Sequence, residues 1–156
     1  MFKLNRKTEY ALIAMQHIAG IEDDEPCSVT ELARRCDLPA NLLAKVLQEL
    51  KRHGILKSTK GTNGGYAVSR DLHLVNFLEF LGIFEEQTGI VECTRRGPVT
   101  CDRYDHCNVR DPMLALNEML MARLRNLTLQ DVLHFEHRPH AAEQPLAAAP
   151  VAPAGG

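Results

Sequence analysis

The sequence predicts a mainly α-helical protein with a small β wing: a winged helix-turn-helix followed by a long dimerisation helix. Three observations carry that expectation. Two short amphipathic stretches are separated by the turn Asp37-Leu38-Pro39-Ala40-Asn41, which is the punctuation a helix-turn-helix needs. Two strand-like runs, Ile55–Lys60 and Tyr66–Ser69, flank a tip of Gly, Thr and Asn. Beyond residue 110, Met113, Leu116, Leu120, Leu124 and Leu127 recur at spacings of three or four.

Taken in order, Thr8 can cap a first helix with Glu9 in its first turn, and Ala11, Met15, Ile18 and Ala19 keep helical spacing up to Gly20. The acidic run Glu22–Pro26 breaks it. Ser28-Val29-Thr30-Glu31 has the pattern of a helix start with either hydroxyl residue as cap, and Leu32, Ala33 and Cys36 give that helix a short apolar face. Pro39 cannot continue the helix but suits the first position of the next. That next helix is expected over about 40–52, with Leu43, Val46, Leu47 and Leu50 inward and Gly54 closing it. The wing tip, Gly61-Thr62-Asn63-Gly64-Gly65, supplies residues that tolerate positive φ. A further helix is expected over about 74–87 with Val75, Leu78, Leu81 and Ile83 among its apolar positions, then a cysteine loop over 91–109. The long helix over about 111–126, widened by Met119 and Met121, reads mainly as a subunit interface, the plain alternative being intramolecular core. From 137 onward Ala, Pro and Gly dominate, a composition unable to offset ordering entropy, so the tail is expected to be disordered. His134, His137 and His140 read as incidental solvated side chains. The resulting organisation is a DNA-binding unit over 1–70, dimerisation helices with the cysteine loop over 71–136, and a tail over 137–156.

A chain of 156 residues suits one compact domain or two small ones sharing a core. No apolar run approaches the roughly 20 residues needed to span a bilayer. The basic start Met1–Lys7 leads into Thr8-Glu9-Tyr10 rather than an apolar segment, so it does not read as a secretory signal, and a cytoplasmic protein is the expectation. Five cysteines without an export signal argue for thiols kept reduced and free for metal or redox work.

The net charge of −2 hides an asymmetry. Residues 1–70 hold eleven Lys/Arg against eight Asp/Glu, whereas 71–136 hold six against eleven. The basic half is the one to place against phosphates. Between Asn41 and Lys60 the cations Lys45, Lys51, Arg52, Lys57 and Lys60 outnumber Glu49. Asn41, Leu42 and Lys45, at the start of the second helix, are expected nearest the major groove. Lys51 and Arg52 flank them, and Lys60 with Thr62 and Asn63 at the wing would reach the backbone or the minor groove. One copy makes few contacts, so a homodimer on two half-sites of double-stranded DNA is expected.

Cys93 and Cys101 are separated by seven residues, and Cys101 and Cys107 by five. Zinc sites normally use cysteine pairs two to four residues apart, because a tight turn must aim both sulfurs at one small ion. Wider loops suit a larger object such as an iron–sulfur cluster, and three thiolates leave one position for another ligand. Arg95, Arg96 and Arg103 would favour thiolate formation. Cys27 and Cys36 read as small, partly buried apolar residues outside this set.

With those residues in view, the chain over 2–136 resembles the Rrf2 family of bacterial winged-helix regulators. The resemblance lies in Leu4-Asn5-Arg6-Lys7-Thr8-Glu9-Tyr10-Ala11, the wing Lys60–Tyr66, the three cysteines, and Leu127–Leu133 after the long helix. It implies an iron–sulfur cluster, 2Fe–2S or 4Fe–4S, held by Cys93, Cys101 and Cys107. One branch of the family completes the site with a histidine three residues after the last cysteine, where this chain has Arg110, which cannot ligate. Another uses a carboxylate in the first helix of the other subunit, where this chain has Glu9. The resemblance therefore makes Glu9 the leading fourth ligand, with His106 and Asp111 as fallbacks; a carboxylate favoured by the helix dipole is the plain reading of Glu9. The expected function is a dimeric DNA-binding regulator switched by iron, redox state or nitric oxide through its cluster, the alternative being the same reader with structural zinc or no metal in the loop. A redox enzyme or electron carrier is disfavoured, since no paired-cysteine motif, dinucleotide-type Gly loop or nucleophile–base arrangement stands out.

Overall fold

A computed structural model describes residues 4–21, 25–61, 64–85, 89–91, 93 and 101–134. The described chain runs α1 (Arg6–Ala19), α2 (Val29–Cys36), α3 (Ala40–Arg52), β1 (Leu56–Thr59), β2 (Gly65–Val68), α4 (Phe77–Phe84), α5 (Arg110–Arg125) and α6 (Leu129–Leu133). Short 3-10 turns stand at Leu72–Leu74 and Tyr104–His106.

Helix α1 begins earlier than the sequence suggested. Its cap is Asn5, whose side chain accepts from the backbone N–H groups of Lys7 and Thr8, and not Thr8, which lies within the first turn and is fully buried. Asn is as good a cap as Thr, and the Thr8 hydroxyl is committed elsewhere: it donates to Glu85, a partner no local pattern reveals. In α2 the choice between hydroxyl caps falls to Ser28, which accepts from Glu31 N–H. Asp37 then takes the left-handed conformation, φ 52°, a state that Asp tolerates better than most residues and that turns the chain into α3. Helix α3 buries Leu43, Val46, Leu47 and Leu50, the face its periodicity marks, and Gly54 follows at φ 71°.

The wing is an antiparallel pair with Leu56 opposite Val68 and Thr59 opposite Gly65. Its second strand also pairs with the residue before α2: Cys27 N–H donates to the Tyr66 carbonyl at 2.9 Å and Tyr66 N–H to the Cys27 carbonyl at 2.8 Å. A Cβ at Gly65 would run into the Cys27 carbonyl and the Ser28 nitrogen. Gly65→Ala is accordingly expected to cost about 1–3 kcal/mol, seen as a lowered Tm. Gly82→Ala in α4, where an added Cβ meets nothing within 4 Å, serves as control and should be neutral or slightly stabilising.

The helix expected over 74–87 is shorter. Leu74 belongs to the preceding turn and is 68 % exposed, while Asn76 caps α4 through the N–H groups of Leu78 and Glu79. Phe77, Phe80, Leu81 and Phe84 form its buried face, with Phe80 edge-on to Phe84. One core cluster joins Met15, Leu32, Leu43, Leu47 and Ile55 to Val75, Phe80, Leu81 and Leu129. The link between α5 and α6 is stitched to the start of α4: Phe77 N–H donates to Leu127 O, Leu129 N–H to Val75 O, and the Asn76 side-chain amide to Arg125 O. Thr128 and Asp131 form a capping box for α6, and the Thr128 hydrogen bonds hold the Asp131 carboxyl below its ordinary range. Helix α5 buries only Met121, leaving Leu116 45 % and Met119 62 % exposed.

Candidate functional site

Two groups of side chains stand out. On α3, Asn41, Lys45, Lys51 and Arg52 are exposed and Leu42 is half-buried, so the polar face opposite Leu43, Val46 and Leu47 is free to meet a ligand. Asn41 and Lys45 are one turn apart, and Gln48 and Arg52 continue the same stripe. Gln48 was missed by sequence reasoning, although its spacing of seven from Asn41 marks it. Its exposed amide has the donor and acceptor pair that reads adenine edges. Arg52 is partly engaged by Glu49, at 2.9 Å and 3.0 Å from its two carboxylate oxygens. No side chain caps α3: Pro39 precedes it, leaving the first N–H groups to external acceptors. Lys57 and Lys60 are exposed along the wing, while Thr62 and Asn63 lie outside the described residues.

The second group is the cysteines. All five are free; Cys93, Cys101 and Cys107 are half-buried, Cys27 is buried, and burial raises the thiol pKa of both Cys27 and Cys36. The first three sulfurs are thus neither sealed nor paired, and the other two behave as the small apolar residues expected. Cys27 sits in the main core cluster, and Cys36 borders a groove of about 810 Å³ between α1 and α2.

The segment carrying the three cysteines is tied down at several points. Ile90 N–H donates to the Asn117 side chain on α5 at 3.2 Å, which fixes the approach to Cys93. Arg110, at the start of α5, donates to the Tyr104 carbonyl at 3.1 Å and lies 5.1 Å above the Tyr104 ring, folding the Cys101–Cys107 turn onto the helix. A residue excluded as a ligand therefore orders the turn between two candidate ligands, a role that the sequence position alone did not suggest. Residues 94–100, with Arg95 and Arg96, and the tail after His134 lie outside the described residues. His106 and Asp111 are exposed near Cys107, and Glu9 is exposed on the first turn of α1. Among the described residues no three His, Cys, Asp or Glu side chains converge as a metal would require. The donor chemistry nevertheless fits a thiolate-held cluster, because all three sulfurs are free and of intermediate exposure, Cys101 and Cys107 lying in the turn that leads into α5.

A helix-turn-helix backed by a docked wing, on one core with a long exposed helix, defines a winged-helix protein of the DNA-reading class. Residues 4–134 match the family model of Rrf2, described as an iron-dependent transcriptional regulator, and the chain belongs to that family. Membership makes it a transcriptional regulator that binds double-stranded DNA, not an enzyme. It is similar to the HTH-type transcriptional regulator IscR of Escherichia coli, with 25% identity over 149 residues, 92% of this chain and 91% of the relative. The fold is shared with the global cysteine regulator CymR of B. subtilis, at TM-score 0.68 and 20% identity over 87% of this chain and 99% of that one. It is shared also with T. potens IscR, at TM-score 0.62 and 22% identity over 85% and 86%. No helix among the described residues is long and apolar enough to cross a membrane.

Proposed function

We propose that this chain is a homodimeric regulator whose affinity for DNA is set by an iron–sulfur cluster on Cys93, Cys101 and Cys107, with Glu9 of the partner subunit as the fourth ligand. The observation that carries this reading is that Cys93, Cys101 and Cys107 are all free and only half-buried, two of them in the turn that leads into α5, whereas Cys27 is sealed in the core cluster and Cys36 lies apart on α2. Glu9 supports it by its exposure, since a carboxylate turned to solvent on a helix start is available to a second copy. The bound cluster supplies an iron whose one non-thiolate ligand leaves it open to oxidants or nitric oxide. The protein's own residues do the rest. Arg110 and Tyr104 hold the turn between two thiolates, Asn117 fixes the approach to the first, and Asn41, Lys45, Gln48 and the wing lysines meet the DNA. The exposed α5 stripe joins two copies, so that two readers address two half-sites.

Native mass spectrometry of anaerobically purified protein, paired with visible absorbance, tests the assignment. The wild type should be a dimer carrying iron and sulfide with charge-transfer bands in the visible, and Glu9→Ala should lose iron or shift those bands. A colourless, zinc-loaded dimer would replace this reading with a structural zinc site; an unaltered cluster in Glu9→Ala would remove that residue from the ligand set.

A further inference from the structure

Where α4 ends, its last carbonyl and the next side chain grip the start of α1. Glu85 Oε1 accepts from Asn5 N–H at 2.9 Å and from the Thr8 hydroxyl at 2.5 Å, and the Asn5 side-chain amide donates to the Phe84 carbonyl at 2.7 Å. Asn5 is at the same time the cap of α1, accepting from Lys7 and Thr8 N–H. The four groups form one closed network around a buried hydroxyl, Thr8 being 0 % exposed. A carboxylate here also meets the positive end of the α1 dipole, so the contact is charge-assisted.

The position of this clasp matters more than its strength. Glu85 is the last residue before the stretch that leads to Cys93, and Thr8 is the residue before Glu9. Helix α1 in turn packs against α3, the helix bearing Asn41 and Lys45. One carboxylate thus sits between the cysteine segment, the proposed fourth ligand and the DNA reader. We infer that Glu85 is a positioning residue: it holds Glu9 at the angle from which it reaches a partner's cluster, and it transmits displacement of the cysteine segment to α1 and α3. Without its carboxylate, the end of α4 keeps one of the three hydrogen bonds to the start of α1, from the Asn5 amide to the Phe84 carbonyl, and a single bond beside apolar packing tolerates sliding where the three-point network does not.

This inference rests on the cluster reading above, and the test separates the two. Full-length wild type, Glu85→Gln, Glu85→Ala and Thr8→Val are compared as apo protein and after anaerobic reconstitution with ferrous iron and sulfide. Binding is followed by fluorescence anisotropy to a duplex that the wild type selects from a random-sequence library. Glutamine keeps the accepting oxygen and should preserve both the visible circular dichroism and the wild-type ratio of apo to loaded Kd, about tenfold or more. Alanine should bring the ratio to within about twofold, alter the visible dichroism as Glu9→Ala does, and speed amide exchange at Lys7 and Thr8 even in the apo protein. Thr8→Val keeps the buried volume, guards against a variant that fails to fold, and should fall between them. A wild-type ratio retained by both Glu85→Ala and Thr8→Val would overturn the role of Glu85 while leaving the cluster reading intact. A wild type with no ratio at all would end both readings.

Discussion

Cys101→Ser is expected to abolish the visible chromophore and to fix DNA affinity at the apo value, collapsing a modulation of about tenfold or more to none. The expectation follows from its place. Cys101 opens the turn that Arg110 and Tyr104 fold onto α5, between the other two thiols in sequence, and its removal would leave at most two sulfurs for the proposed cluster, which draws three from this segment. The fold should be untouched, because Cys101 is half-buried and lies outside the core cluster, so far-UV circular dichroism and Tm should match the wild type. Iron content, absorbance and anisotropy are read on the same anaerobic preparation. Wild-type iron loading in the serine variant would exclude Cys101 as a ligand. Cys36→Ser provides the contrast: that thiol sits at the end of α2, outside the cysteine segment, and its loss should leave the chromophore unchanged.

Leu116→Glu combined with Met119→Glu should split the protein into monomers and weaken DNA binding by about a hundredfold or more, the avidity that linking two readers confers. Both side chains are largely exposed on α5, 45 % and 62 %, so the substitutions cost little within one subunit. In a subunit interface the same positions would place four carboxylates, two from each copy, in a dehydrated seam. Sedimentation velocity gives the mass, and anisotropy against duplexes with one or two half-sites gives the affinity. A variant that stays dimeric would show that α5 is not the joining surface, and the apolar stripe would then need another account.

How far the sequence foretells this structure depends on the range of the forces involved. Helix α3 is legible to the residue because its burial pattern, the Pro39 start and the Gly54 stop are all local. The wing is legible for the same reason, two short runs around a tip of glycines and Asn. The start of α1 is less so: Asn5 and Thr8 are both good caps by residue type, and the contact that commits the Thr8 hydroxyl to Glu85, 77 positions away, is invisible locally. At α4, Asn76 was a legible signal that lost to the apolar look of Leu74 and Val75; the first of these faces solvent and the second fills the core before the helix begins. In the cysteine segment the candidate donors come from spacing and from the family likeness, whereas the contacts of Arg110 depend on an aromatic ring six residues back and on a carbonyl, neither of which periodicity encodes.

The backbone pairing of Cys27 with Tyr66 has a mechanical consequence. It welds the hairpin to the chain that leads into α2, while α3 and β1 are joined by a tight turn, so the reading helix and its hairpin travel as one stiff block. In the proposed dimer, a signal reaching such a block would leave its grip on a single half-site unchanged. What would remain adjustable is the separation and tilt of the two blocks, and the proposed switch would then discriminate between operators by their pitch rather than by their letters.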